Sequence, residues 1–98
     1  MKDDDWQNTV NFLQQAFADN YQFDIFKLLL TTDERSALVT RVKIVKALLE
    51  GTINQRQLKD QLGIGIATVT RGSNSLKDVS PQFKQWLETS LLDKQKGA

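Results

Sequence analysis

The sequence predicts an all-α fold, and three observations lead to that prediction. Apolar residues recur every three or four positions along most of the chain, as they do on one face of a helix. Capping residues stand before several of these runs, and glycines stand after them. The chain has no alternating strand pattern, no internal repeat and no linker long enough to divide it, so we expect one domain over residues 1–98.

The first half of the chain predicts three helices. The apolar face of the first helix contains Trp6, Val10, Leu13 and Phe17. Residues 23–30 are apolar nearly all round, which a monomer of this size can scarcely bury, so we interpret them as a subunit contact. Thr31 and Glu34 have the spacing of a capping box. The helix that they open has an inner stripe of Leu38, Val42, Val45 and Leu49, and Gly51 ends it.

The second half predicts three more helices. Asn54 and Gln57 cap a short helix, and Gly63 ends it. The next helix runs from about Ile66 to Lys77, with an inner face of Ile66, Val69, Ser73 and Leu76. Ser80 and Pro81 begin the last helix, whose apolar residues are Phe83, Trp86, Leu87 and Leu91. We expect residues 93–98 to be frayed.

The composition argues against catalysis and against a metal centre. The sequence contains no Cys and no His, which removes the thiolate nucleophile, most zinc ligands and the commonest general base. Its twelve carboxylates include no pair in an apolar stretch that would suit acid–base work. We therefore expect no catalytic residue, no metal ligand and no enzymatic cofactor.

The sequence also bears on location. No apolar stretch approaches the roughly 18 residues of a membrane span. Residues 1–5 are acidic, where a signal peptide would be basic and then apolar. We expect a cytoplasmic protein that has no membrane partner.

The charges are unevenly distributed along the chain, although the net charge is only +1. Residues 1–34 contain two basic and seven acidic residues, whereas residues 35–98 contain eleven basic and five acidic residues. Charge alone favours an ordinary solvated surface. The alternative is that the second part binds a polyanion.

Residues at about 55–78 predict a helix-turn-helix motif, in which a tight turn at Gly63 joins two helices. Small residues at the start of the second helix would allow close approach to a DNA major groove, and its free N–H groups favour a phosphate. An ordinary corner between two helices explains the spacing about as well. The seven basic residues and two acids within residues 41–77 favour the DNA-binding interpretation.

Arg71, Gly72 and Ser75 lie together on the second of these helices. Gly72 costs a helix about 1 kcal/mol relative to alanine. A position without a side chain beside Arg71 could admit a flat ligand, but on this pattern alone a close contact with another helix explains the glycine better. Arg41 by itself is typical of a solvated helix surface.

Two long stretches closely resemble the bacterial tryptophan repressor family. They run from Leu30 to Val45 and from Gln55 to Leu76, and the run of residues 65–76, GIATVTRGSNSL, is too specific to match by chance. The resemblance spans most of the chain, from Trp6 to about Leu92. It implies six helices per chain in an intertwined homodimer. It also implies L-tryptophan as corepressor, and as partner a double-stranded, palindromic operator that controls tryptophan biosynthesis genes.

The same resemblance implies which residues bind these partners. Arg41 and Arg71 would flank the indole ring, and Gly72 would leave room beside it. Arg71 and Thr31 would bind the ligand carboxylate. The ammonium group would be received by Ser75 and by the backbone carbonyls of Leu28 and Leu30 of the partner subunit. The positions that match DNA contacts are Gln55, Arg56, Lys59, Gly65, Ile66, Ala67, Thr68 and Thr70.

Three residues depart from the family pattern: Thr32 stands where a proline is expected, Val39 where a smaller residue is expected, and Ile64 in the turn, where the family has a small residue. The side chain of Ile64 could pack beneath the recognition helix and bias its position before any ligand binds. A DNA-binding regulator of the same fold with a different effector, or with none, is therefore the alternative function. A helical interaction module that binds no DNA is the third.

Overall fold

The computed structural model describes residues 1–93 and has the predicted all-α fold, with six α-helices and no strand within that range. The helices are α1 (Asp3–Ala18), α2 (Gln22–Leu29), α3 (Thr32–Glu50), α4 (Gln55–Leu62), α5 (Ile66–Lys77) and α6 (Pro81–Glu88). A π-helical turn, Thr89–Asp93, follows α6 and contains Leu91, which the sequence places in the last helix. The frayed end that we predict lies, from residue 94 onward, outside the described residues.

The predicted helix caps are confirmed at three starts. Thr31 and Glu34 form a reciprocal capping box at α3, and Asn54 and Gln57 form another at α4. At α6, the Phe83 N–H donates to the Ser80 hydroxyl at 3.1 Å, and Pro81 occupies the first turn. These bonds satisfy N–H groups that have no partner inside the helix, so each start is determined locally.

The chain divides into two compact units, Met1–Ala37 and Leu38–Ala98. A single domain over residues 1–98 stays a prediction. In the first unit α1 packs against α2, with Ala16 and Ile25 buried. The rings of Phe17 and Phe26 lie 5.5 Å apart between centroids, a typical distance for an aromatic pair.

The second unit is built on three buried side chains, one from each of three helices. Ile44 of α3, Leu58 of α4 and Val69 of α5 form this core. Partly buried apolar side chains surround it, namely Ala47, Leu48, Ile53, Leu62 and Ile64. The core therefore connects the two helices of the predicted helix-turn-helix with the end of α3.

The buried face of α3 is not the predicted one. Ile44 is 1% exposed, whereas Leu38 and Val42 of the predicted stripe are 41% and 46% exposed. The prediction is wrong at Leu38 and Val42 and holds in part at Val45 and Leu49, which are half-buried. The reason is that α3 is apolar on more than one side, and the sequence does not say which side packs on α4 and α5. The predicted inner face of α5 is right at Val69 and wrong at Ile66, which is exposed.

Candidate nucleic-acid interface and ligand site

The helix-turn-helix begins with the capped helix α4. Gly63 ends α4 in the left-handed conformation, with φ of 65° and ψ of 35°. Glycine adopts this conformation at no steric cost, and it turns the chain sharply toward α5. Leu58 and Val69 are buried on opposite sides of the turn, so apolar packing holds the two helices together.

The surface of this motif is formed by the residues that match DNA contacts. Gly65 is the N-cap of α5 and offers no side chain to the free N–H groups of the first turn. No atom lies within 4 Å of the place where a Cβ of Gly65 would stand, so the backbone is open to a ligand there. The exposed members of the set are Arg56, Gly65, Ile66, Ala67, Thr68 and Thr70, and the half-buried ones are Gln55 and Lys59.

One hydrogen bond joins the two helices of the motif through side chains. The Thr70 hydroxyl on α5 donates to Oε1 of Gln55 on α4, at 3.2 Å. The two residues are fifteen positions apart, so no spacing rule would have found this contact. It pairs two residues for which the family resemblance implies separate DNA contacts.

Ion pairs neutralise little of the positive charge on α3, α4 and α5. Within residues 1–93 the one salt bridge joins Nζ of Lys59 to Oδ1 of Asp60, at 3.6 Å. Exposed pairs of this kind contribute little to stability. Apart from Arg35, whose guanidinium bonds to groups at the start of α3, the remaining basic residues of α3, α4 and α5 are thus available to an anionic partner.

Gly72 makes a close contact between α5 and α3. A Cβ placed on Gly72 would lie 2.8 Å from Cγ2 of Ile44, which is closer than real Cβ atoms approach. The helix–helix contact suggested as the alternative explanation for this glycine is therefore present. A further role of Gly72 beside a ligand stays a prediction.

The other predicted ligand residues of the second unit have exposed side chains. Arg41 lies on α3 one turn before Ile44, and Arg71 lies on α5 next to Gly72. Among the described residues, neither guanidinium group makes a hydrogen bond or an ion pair with a side chain. Ser75 is also exposed, one turn beyond Arg71. All three side chains are free to bind a ligand.

Thr31, in the first unit, is committed to the cap of α3. Its hydroxyl accepts the Glu34 N–H at 3.1 Å, and its own N–H donates to Oε1 of Glu34 at 2.8 Å. The bond from the Thr31 backbone, and then the interaction with its side chain, hold the pKa of Glu34 below its usual value. The threonine hydrogen is still free to donate to another acceptor.

Leu28 and Leu30, also in the first unit, differ in what surrounds them. Leu28 has a highly exposed side chain, whereas the backbone carbonyl of Leu30 accepts a hydrogen bond from Nη1 of Arg35 at 2.8 Å. Nη2 of Arg35 also donates to the Thr32 hydroxyl. Sequence reasoning missed Arg35, since nothing in its spacing points to a carbonyl five residues earlier. A cation thus already occupies one of the acceptors predicted for the ligand ammonium group.

The described residues contain neither a metal-binding cluster nor a membrane-spanning helix. Across residues 1–93, no three His, Cys, Asp or Glu side chains are placed to hold a metal ion. Over the same range, no helix combines the length and the hydropathy needed to cross a membrane.

Comparison with known proteins identifies the family. The sequence profile of the Trp repressor protein family matches residues 4–91. The chain belongs to the Trp repressor family. This family consists of tryptophan-responsive transcriptional repressors and not of enzymes, so the prediction that the chain is not an enzyme is confirmed.

Individual members of the Trp repressor family match over nearly their whole length. A Trp operon repressor homolog of Photobacterium profundum is 48% identical over 91 residues, which covers 93% of this chain and 87% of the relative. A protein of the same name in Vibrio vulnificus is 44% identical and covers 95% and 91% of the two chains. Another, in Vibrio cholerae, is 44% identical and covers 90% and 85%.

Proposed function

We propose that this chain is an L-tryptophan-dependent repressor whose corepressor-bound homodimer binds a palindromic operator of tryptophan biosynthesis genes. The observation that carries the proposal is the helix-turn-helix, in which a small buried core supports a recognition helix with small, polar outward residues. The names of the relatives support the choice of operator. Such a repressor would act in the cytoplasm, where bacterial DNA lies.

The DNA-binding step follows from the start of α5. The open backbone at Gly65 would let a phosphate reach the N–H groups of the first helical turn, where the helix dipole favours an anion. Arg56 and Lys59 would add phosphate contacts from α4. Ile66, Ala67, Thr68 and Thr70 are short enough to let α5 enter a major groove.

The ligand would bind to the polar groups that α3 and α5 leave free. A guanidinium stacked on an indole contributes about 0.5–2 kcal/mol, and Arg41 and Arg71 would supply one on each face. The fork of Arg71 and the free hydroxyl hydrogen of Thr31 suit a carboxylate. Ser75 and the backbone carbonyls of Leu28 and Leu30 of the partner subunit would accept from the ammonium group.

The homodimer is proposed because each unit leaves large apolar side chains uncovered. On α2, Phe23 is 83% exposed and Leu28 is 77% exposed. The first unit also has an open apolar groove of about 280 Å³ that Phe12, Ile25 and Leu28 help to line. Soluble monomers rarely expose contiguous apolar surface of this kind, so a second copy would cover it.

Ligand and DNA would be coupled through α5. The Gly72–Ile44 contact sets the distance between α3 and α5, and an indole between Arg41 and Arg71 would fix the tilt of α5. Coupling free energies of this kind are typically about 1–3 kcal/mol, and they are reciprocal. Operator DNA should therefore increase the affinity for L-tryptophan by the same factor as L-tryptophan increases the affinity for DNA.

The first experiment is a calorimetric titration of the purified protein with L-tryptophan. We expect one molecule bound per chain, with no heat from D-tryptophan or L-leucine. Arg71→Ala should abolish binding, whereas Arg56→Ala should leave it intact and weaken only DNA binding. Absence of heat from L-tryptophan would favour a regulator of this fold with another effector or with none.

The second experiment measures the affinity for duplex DNA against salt concentration. The logarithm of the association constant should fall with the logarithm of the salt concentration, with a slope near −0.9 per phosphate contacted. A chain that binds no duplex at any salt concentration would favour the interaction module.

A further inference from the structure

The bond between Gln55 and Thr70 lies at the centre of the proposed DNA-binding surface. Water could form hydrogen bonds with both side chains there, yet the two side chains bond to each other. Within residues 1–93, it is the only bond between two side chains that are more than five positions apart. Gln55 is half-buried at the first position of α4, and Thr70 is exposed in the middle of α5. The contact therefore holds one polar group of each helix in a defined place.

The direction of the bond determines what Gln55 can still recognise. A glutamine amide has one acceptor oxygen and two N–H donors. Because the Thr70 hydroxyl donates to Oε1, one lone pair of that oxygen is engaged, whereas both Nε2 donors remain free. The bidentate pairing of glutamine with adenine also uses Oε1, which would have to accept a second bond, so this arrangement favours recognition through the Nε2 donors.

We propose that Thr70 is a positioning residue for Gln55, holding its amide so that the Nε2 donors bind a hydrogen-bond acceptor on the operator duplex. The inference rests on the proposed function, because it presupposes DNA binding. The acceptor is a phosphate oxygen or the N7 of a purine, which offer the same chemistry to an N–H group. In this proposal Thr70 acts through Gln55, in place of the direct DNA contact that the family resemblance implies for Thr70.

A double-mutant cycle tests the pairing. The probe is a fluorescent duplex that the wild-type protein selects, with L-tryptophan, from a randomised pool, and anisotropy gives the Kd. Thr70→Val removes the hydroxyl at nearly constant shape and should raise the Kd about threefold to tenfold, the range for one hydrogen bond. In a Gln55→Met background, Thr70→Val should have almost no further effect, because the group that it positions is gone.

Two more variants distinguish a positioning role of Thr70 from a nonspecific effect of the substitution on DNA binding. Thr70→Ser retains a hydroxyl and should retain most of the affinity. Thr68→Val makes the same change one half-turn away, where no bond to Gln55 exists, so its effect should add to that of Gln55→Met. If Thr70→Val and Gln55→Met are also additive, the proposed pairing is overturned.

Chemically modified duplexes identify the acceptor. If Gln55 binds a purine N7, the penalty of Gln55→Met should vanish on a duplex with 7-deazapurine at one position. If it binds a phosphate, the penalty should vanish where one phosphate is replaced by methylphosphonate. A penalty that persists on every modified duplex overturns this inference alone, whereas a wild-type protein that selects no duplex overturns the proposed function as well.

Discussion

Arg35 donates to the Leu30 carbonyl, an acceptor that the tryptophan repressor resemblance assigns to the ligand ammonium group. Two cations at one carbonyl repel each other, and charge-assisted hydrogen bonds are stronger than neutral ones. Without ligand, the guanidinium therefore lies at an acceptor that the proposed ligand would use.

Arg35→Gln should consequently bind L-tryptophan more tightly, by about threefold to tenfold, as measured by calorimetry. Lys84→Gln, which removes an exposed positive charge from α6, is the control and should leave the ligand affinity unchanged. Weaker binding by Arg35→Gln would mean instead that Arg35 holds the carbonyl in its binding orientation.

The stability that the α3 cap contributes depends on pH through Glu34. Its pKa is lowered in the folded chain by the Thr31 backbone N–H and side chain, so the folded state favours the carboxylate. The resulting stabilisation is complete above the pKa of an unfolded glutamate, about 4.3, and is lost as pH falls through the lower folded value.

Glu34→Gln retains a capping-box residue and removes the titration. The difference in thermal midpoint between wild type and Glu34→Gln should therefore shrink as pH falls from about 6 to 3. Asp33→Asn removes a charge from the same turn without touching Thr31 and serves as the control. Parallel curves for wild type and Glu34→Gln would show that the cap does not titrate.

At the scale of elements, the turn of the helix-turn-helix is itself part of the core. Ile64 is half-buried and packs against the cluster of Ile44, Leu58 and Val69, so the expected packing beneath the recognition helix is present. We expect this packing to restrain α5 before any ligand binds. The packing of Ile64 should therefore change how strongly DNA binding depends on L-tryptophan.

Ile64→Ala should loosen α5 and raise the ratio of the DNA Kd without L-tryptophan to the Kd with it. Ile53→Ala is a matched control, because it removes the same atoms from the same cluster but lies outside the turn. Both variants should lose stability, by about 1–3 kcal/mol for partly buried side chains. If the ratio of the two Kd values changes equally in both variants, the change results from lost stability and not from the position of Ile64 in the turn.

The contact between α3 and α5 depends on the missing side chain of Gly72. Alanine in a helix gains about 1 kcal/mol over glycine, but forcing a methyl group to within 2.8 Å of Ile44 costs typically 1–3 kcal/mol. Gly72→Ala should thus be neutral to destabilising in denaturant unfolding.

Ile44→Leu removes the Cγ2 branch while conserving volume, so it should rescue stability in the double variant with Gly72→Ala. The same change in the wild-type background should cost less than about 1.5 kcal/mol. No rescue would mean that the backbone of α5, and not the Ile44 branch, limits the contact.

At the scale of the whole molecule, the two units have little core of their own. Within residues 1–93, the buried apolar side chains are Ala16, Ile25, Ile44, Leu58 and Val69. Both α2 and α3 also expose large apolar side chains, namely Phe23, Leu28, Leu29, Leu38, Val39 and Val42. A second copy of the chain that covers these side chains would supply the missing burial.

Phe23→Ser tests the assembly, because an 83% exposed side chain contributes little to the stability of a monomer. We expect sedimentation equilibrium to show a dimer for wild type and a weakened dimer for Phe23→Ser. Lys27→Ser, on the same helix, should leave the dimer unchanged. A monomeric wild-type protein would contradict the proposal.

The sequence by itself determined where α3, α4 and α6 begin and where α4 ends. The capping boxes Thr31–Glu34 and Asn54–Gln57, the N-cap Ser80 and the left-handed Gly63 all appear as predicted. These features depend on residues within one turn of each other, so local chemistry is enough to specify them. The family and the repressor function could also be predicted, because the run over residues 65–76 is so specific.

Only the tertiary structure decided which apolar faces are buried and which polar groups meet. It selected Ile44 over Leu38 and Val42, and it brought Thr70 to Gln55 and Gly72 to Ile44. α3 is apolar on several sides, and the last two contacts join residues 15 and 28 positions apart. Such contacts depend on how whole helices pack, and that packing is a property of the assembled helices and not of any local run of residues.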